Sequence, residues 1–236
     1  MHFIPVLSTI VSLIFAAAVF NRWRFKRPPH LLLWGSGLVL YGLGTLSEVI
    51  LAFTFSPLFL KVWYLCGAML VAAWLGQGTV YLLVRRRRVA NGLMILLGLA
   101  SIASLLLIAA APVSAGASFD TARPVSEQYK EFLVRSGPVT LLTIVLNIYG
   151  TLTLVGGAIF SAFLFWRKNV LANRMLGNIL IAAGALMPAL GGSLVKAGLV
   201  DFLYLSEFLG VVLMYGGFLL ATASKPAAQQ VSVPAD

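Results

Sequence analysis

Charge is the scarcest ingredient of this chain: 10% of its 236 residues are Asp, Glu, Lys or Arg. A soluble domain carries about a quarter, so an ordinary water-soluble enzyme is excluded. Cysteine is limited to Cys66, which rules out a disulfide framework, a CxxC redox pair and a thiolate metal cluster. His2 and His30 are the only histidines, so the usual catalytic and metal-binding imidazoles are nearly missing. No cofactor and no metal site is expected. What the chain has in abundance is apolar length. It is 60% hydrophobic with a mean hydropathy of +0.97, and several runs are long enough to cross a bilayer core.

Apolar stretches bounded by charge or by Pro, Gly and Asn predict an all-α polytopic membrane protein with seven transmembrane helices. Their expected spans are 3–20, 31–55, 57–84, 89–111, 138–166, 175–197 and 202–223. Pro28-Pro29 separates the first two, Pro57 opens the third in a favoured first-turn position, and Pro112 closes the fourth. Residues 1–224 form a single domain in this reading, and 225–236 a short flexible cytoplasmic tail.

Direction follows from the basic residues. Arg22, Arg24, Lys26 and Arg27, then Arg85 to Arg88, then Arg167, Lys168 and Arg174, then Lys225, all fall on one side. These are twelve of seventeen; Lys61, Arg123, Lys130, Arg135 and Lys196 fall on the other. The positive-inside rule then places the N-terminus outside and the C-terminus in the cytoplasm of a bacterial inner membrane. Six of the seven acidic residues lie on or near the outer side, which agrees. The run Arg85, Arg86, Arg87, Arg88 reads as a cytoplasmic anchor on anionic lipid headgroups, not as a nucleic-acid site. The first helix has no Lys or Arg before it, so it is expected to be an uncleaved anchor instead of a secretory signal.

The order of features in residues 3–84 recurs in 137–223, with the helix 89–111 as linker. Pro5-Val6 with Thr9-Ile10-Val11 matches Pro138-Val139 with Thr143-Ile144-Val145. Gly37 and Leu43-Gly44 match Gly184 and Leu190-Gly191, and Gly67 with Leu70 matches Gly210 with Leu213. This three-plus-one-plus-three parallel repeat is similar in topology to the SWEET and PQ-loop transporters, and the helix number and direction are similar to microbial rhodopsins. The chain has no Pro-Gln dipeptide in its first or fifth helix and no lysine deep in its seventh. Trp34-x-x-Gly37, Trp74-Leu75-Gly76-x-Gly78-x-x-Tyr81-Leu82-Leu83 and Leu205-Ser206-Glu207-Phe208-Leu209-Gly210 resemble patterns of uncharacterised bacterial seven-helix proteins, among them input modules of sensor kinases. That resemblance implies a membrane protein and no assigned chemistry.

Polar side chains inside spans are costly in hydrocarbon and are expected to face other helices or a cavity. Trp34, Tyr41, Thr45 and Glu48 share one face of the second helix, and Thr140, Thr143, Asn147 and Thr151 share one of the fifth. Counting the rise per residue places Glu48 and Glu207 in the outer half and Asn147 near the midplane. A pocket open to the outside is therefore expected, lined by Tyr41, Thr45, Glu48, Asn147, Tyr204 and Glu207, with Lys196 or Lys61 as counter-ion. The structural alternative has Asn and Thr bonding between helices and Glu48 pairing with Lys196. Discontinuous helices mark the site in many transporters, so breaks are expected at Gly42 and Gly44, and at Pro188, Gly191 and Gly192.

The function this supports is binding or translocation of a small solute or lipid-like ligand. A sensor or accessory subunit working through a separate membrane or cytoplasmic partner protein is the alternative, since 225–236 is too short for an output domain. An intramembrane enzyme is third: the outer loop 113–137 holds no histidine and no nucleophile beside a base. Residues 126–135 of that loop are expected to form a short amphipathic helix over the pocket.

Overall fold

The computed structural model describes residues 3–114, 119–167, 172–196 and 202–223, without the side chains of Lys26, Ala189 and residues 192–196. The expected tail 225–236 lies outside the described residues, as do Asp201, the Lys196 side chain and the surroundings of Gly192. The first helix, α1 (Phe3–Lys26), runs well past the expected end at Phe20. Arg22 and Arg24 continue it because nothing breaks it before Arg27, whose left-handed φ of 45° and following Pro28 end it. Helix α2 (Pro29–Leu51) starts on proline at its first position and stops four residues short of the expected Phe55.

The third apolar stretch is not one regular helix. It consists of α3 (Pro57–Trp63), a π-helical stretch (Tyr64–Leu70) and α4 (Val71–Leu83). Then follow α5 (Arg87–Ala110), α6 (Val125–Phe132), α7 (Gly137–Arg167), α8 (Ala172–Lys196) and α9 (Phe202–Thr222). Six helices are long and apolar enough to cross a membrane: Phe3–Phe25, Pro29–Leu51, Pro57–Leu83, Arg87–Ala110, Gly137–Arg167 and Phe202–Thr222. The chain is therefore a multi-pass, all-α membrane-type bundle. At 31 residues α7 is about 46 Å long, more than a bilayer core needs, so it tilts or protrudes.

The helices pack in a ring: α1 against α2, α2 against the α3–α4 span, that span against α7, α7 against α8, α8 against α9, and α9 back against α1. Helix α5 sits outside, touching α4, α7 and the π stretch. The small residues do not follow the matched register of the expected repeat. Gly67 faces Gly44, whereas its match Gly210 faces Gly184.

Large apolar side chains point outward where lipid would lie. Ile95, Leu96, Leu99, Ile102, Leu105 and Leu106 of α5 are exposed, as are Leu141, Ile148 and Leu152 of α7. Inside, close approach depends on glycine. A Cβ on Gly150 of α7 would lie 2.6 Å from the Ala73 nitrogen of α4, and one on Gly44 would lie 3.0 Å from Gly67 Cα. Contacts this tight replace the hydrophobic driving force that lipid does not supply.

The expected breaks are corrected by this packing. Helix α2 runs unbroken through Gly42 and Gly44, which are small to admit Leu13 and Ser12 of α1 and Gly67 of the π stretch. Helix α8 likewise continues through Pro188. Proline there removes the donor that would serve the Gly184 carbonyl. That carbonyl instead points at Gly210 of α9, where an added Cβ would stand 2.8 Å away. Gly191 sits under Ser206 Oγ. The irregular backbone lies in the third span instead.

Candidate functional site

A cavity of about 690 Å³ lies within the ring. Its walls come from α2, the π stretch, α4, α7, α8 and α9, and its end wall from Arg123 and helix α6. Of the residues expected there, Tyr41, Thr45, Glu48, Asn147 and Glu207 line it, together with Gly44 and Pro188. Tyr204 is half-buried one turn along α9 from Glu207 and is not part of the lining. Gly42 and Gly191 are buried in helix contacts and do not line it either.

Glu48 is the most constrained group in the lining. It is 3% exposed, and its Oε1 accepts a hydrogen bond from Trp63 Nε1 at 2.8 Å. Its Oε2 is buried without a donor among the described residues. Glu207 is half-buried across from it, close enough for the two carboxyls to interact directly. Tyr41 spends its hydroxyl proton on the Glu207 backbone carbonyl at 2.8 Å, tying α2 to α9. Thr45 is spent on packing, accepting from Thr9 Oγ1 at 2.9 Å while its own hydroxyl is within reach of the Gly42 and Tyr41 carbonyls.

Asn147 has a structural duty as well as a place on the wall. Its Nδ2 donates to the Ala68 carbonyl at 2.7 Å and to the Thr143 carbonyl at 2.8 Å. Ala68 belongs to the π stretch, where widened turns leave carbonyls available to a side chain. Tyr64, also in that stretch, meets Thr143 Oγ1 at 3.1 Å. The π stretch is thus held to α7 by polar bonds and to α2 by the Gly44–Gly67 contact.

Lys61 does not serve as counter-ion. Its Nζ donates to the Ala109 carbonyl at 2.7 Å, capping the negative end of α5, because Pro57 starts the span beside that helix end. The Lys196 side chain lies outside the described residues. The basic residues that reach the lining are Arg123 and Lys130, and Arg123 Nε is 3.3 Å from Glu127 Oε2.

Helix α6 covers the cavity at this end, as a helix expected over 126–135 would; it spans Val125–Phe132. Gln128 holds it. This side chain is 1% exposed, donates to the carbonyls of Asp120 at 2.7 Å and Arg123 at 3.0 Å, and accepts from the Asp120 amide at 3.1 Å. Val113 pairs with Leu133 in a single antiparallel bridge that closes the loop. Tyr129 turns toward the bundle, its ring 5.3 Å from Trp63 and 5.5 Å from Tyr64, with the Arg135 guanidinium 5.1 Å over its face. Burial pushes the Tyr129 phenol above its ordinary range, and Arg135 opposes this.

Tyr129, Ala68 and Arg123 are wall residues that sequence reasoning did not single out for the site; Trp63 read as packing or interfacial belt and lines it as well. Only the amphipathic pattern of α6 pointed toward Tyr129. Nothing local marks Ala68, whose carbonyl matters because the backbone widens there. A separate buried pair lies below: Tyr149 donates to Gln77 Oε1, and Gln77 Nε2 donates to the Ala90 carbonyl at 2.9 Å. Each of its polar atoms has a partner, and it links α4, α5 and α7 structurally. The four arginines 85–88 are all exposed, two of them in the first turn of α5, where a cation opposes the helix dipole. Among the described residues no group of three metal-ligating side chains comes together.

No protein-family model, curated protein or solved structure matches this chain.

Proposed function

We propose that this protein is a seven-helix protein of a bacterial inner membrane that binds a small solute or lipid-like molecule within the bundle, as a step in moving or sensing it. Helix α8, 25 residues long and packed between α7 and α9, is in this reading the sixth span in chain order and brings the six to seven. The N-terminus is outside and α6 faces outward, as the twelve basic residues on the opposite side favour. The observation that carries the reading is Glu48: a carboxyl 3% exposed, with one oxygen lacking a donor other than the neighbouring Glu207 carboxyl among the described residues, on the wall of a 690 Å³ cavity. Two buried carboxyls brought together are costly as packing alone. Ligand sites are cavities of this size with few polar groups in an apolar wall.

Native mass spectrometry of protein extracted gently from its own membrane tests this, alongside Glu48→Gln and the cavity-filling Ala185→Phe. A discrete small molecule on the wild type, absent from both variants, is the expected result. An empty protein that arrives with a stoichiometric second chain would overturn it in favour of a sensor or accessory subunit.

A further inference from the structure

The cavity's electrostatics narrow the class of its occupant, an inference that rests on the binding role just proposed. From the geometry we infer that the ligand is a small organic cation, a protonated or quaternary amine. Two carboxyl side chains, Glu48 and Glu207, meet on the inner wall. Beside them Trp63 and Tyr129 form an aromatic corner, ring centroids 5.3 Å apart and planes inclined by 55°. Carboxylates with tilted aromatic faces are the surroundings an ammonium group favours, since the ring faces are electron-rich and cost nothing to leave dry. Glu48 Oε2, with no donor other than the neighbouring Glu207 carboxyl among the described residues, is the acceptor such a group would occupy.

Charged groups on the other elements do not cancel the two carboxyls. On α6 and the links flanking it, Arg123 is paired with Glu127, and Lys130 is exposed with its Nζ 6.0 Å from the Tyr129 ring centre. Arg135 already lies 5.1 Å over the Tyr129 face, which leaves Trp63 as the ring of the pair with no cation over it among the described residues. Helix α7 contributes the uncharged Asn147 and Thr151 to the lining, and α2 the Tyr41 phenol, whose hydroxyl is bonded to the Glu207 carbonyl. On α8 the Lys196 side chain lies outside the described residues, and the experiment below includes its pairing with the acids as an outcome.

The test compares choline with 3,3-dimethyl-1-butanol, which has the same shape and no charge, by calorimetry on the full chain in lipid nanodiscs. Choline is expected to bind at least tenfold tighter than the alcohol. Glu48→Gln and Glu207→Gln should each remove most of that preference. Equal binding of the two probes, or binding of neither, overturns the inference; equal binding is also what a Lys196 ion pair with the acids would produce. The wild-type comparison decides even if a variant fails to fold. A neutral molecule retained in native mass spectrometry alongside equal probe binding would remove the cation and keep the cavity.

Discussion

At the scale of single residues, Glu48 and Trp63 act as one unit. Trp63 Nε1 is the described donor to Glu48 Oε1. Trp63→Phe keeps most of the ring volume but strips the carboxyl of that donor, so it should cost about 1–3 kcal/mol. Glu48→Gln keeps an acceptor for the indole and removes the charge, so it should cost less. Thermal unfolding of both variants in the same detergent checks this order; a Trp63→Phe protein as stable as wild type would show that the bond carries no weight. Glycine positions give a second contrast. Gly150→Ala drives a methyl into the Ala72–Ala73 backbone and should destabilise by about 1–3 kcal/mol or more, whereas Gly156, with nothing within 4 Å, should accept alanine without loss.

At the scale of elements, the π stretch sets how the third span presents its faces. Deleting Leu65 takes out the one residue that a π widening adds, so the stretch should relax to an α-helix with its flanks facing nearly as they do now. Trp63 would stay near Glu48, while the Ala68 carbonyl would be drawn back into the helix ladder and leave Asn147. The expected outcome is a protein still inserted in the membrane that no longer retains its ligand, read by native mass spectrometry. Helix α6 depends on one side chain. Gln128→Ala removes three hydrogen bonds, so deuterium uptake across 119–133 should rise while α2 and α7 stay protected. Unchanged uptake would mean that the aromatic contacts of Tyr129 and Phe132 suffice.

For the whole molecule, the basic residues should set direction. Neutralising Arg85 to Arg88 as glutamines removes a third of the basic residues on the proposed cytoplasmic side. A cysteine placed at the exposed Glu131 gives the readout, because the native Cys66 is buried and should stay silent. Impermeant maleimide added to intact cells should label Glu131→Cys in the otherwise native chain. In the four-glutamine background, labelling should fall as part of the population inverts. A failure to label in the native background would reverse the proposed orientation.

Composition and apolar run length were enough to read an all-α multi-pass bundle and most helix ends, because hydrocarbon demands local hydrogen bonding and long apolar segments. One-face spacing also brought Tyr41, Thr45 and Glu48 together, since 3.6 residues per turn is a local property. Where those faces pointed, and what met them, was decided only in three dimensions. Glycine looks the same in sequence whether it breaks a helix or admits a neighbour, so Gly42 and Gly44 read as hinges when their partners are Ser12, Leu13 and Gly67. Lys61 read as a counter-ion because its side of the membrane was legible while its neighbour, the end of α5, was not. The π stretch had no local signature, and it is held by bonds from α7, 79 residues away in the chain, that only packing brings to the Ala68 carbonyl and the Tyr64 hydroxyl.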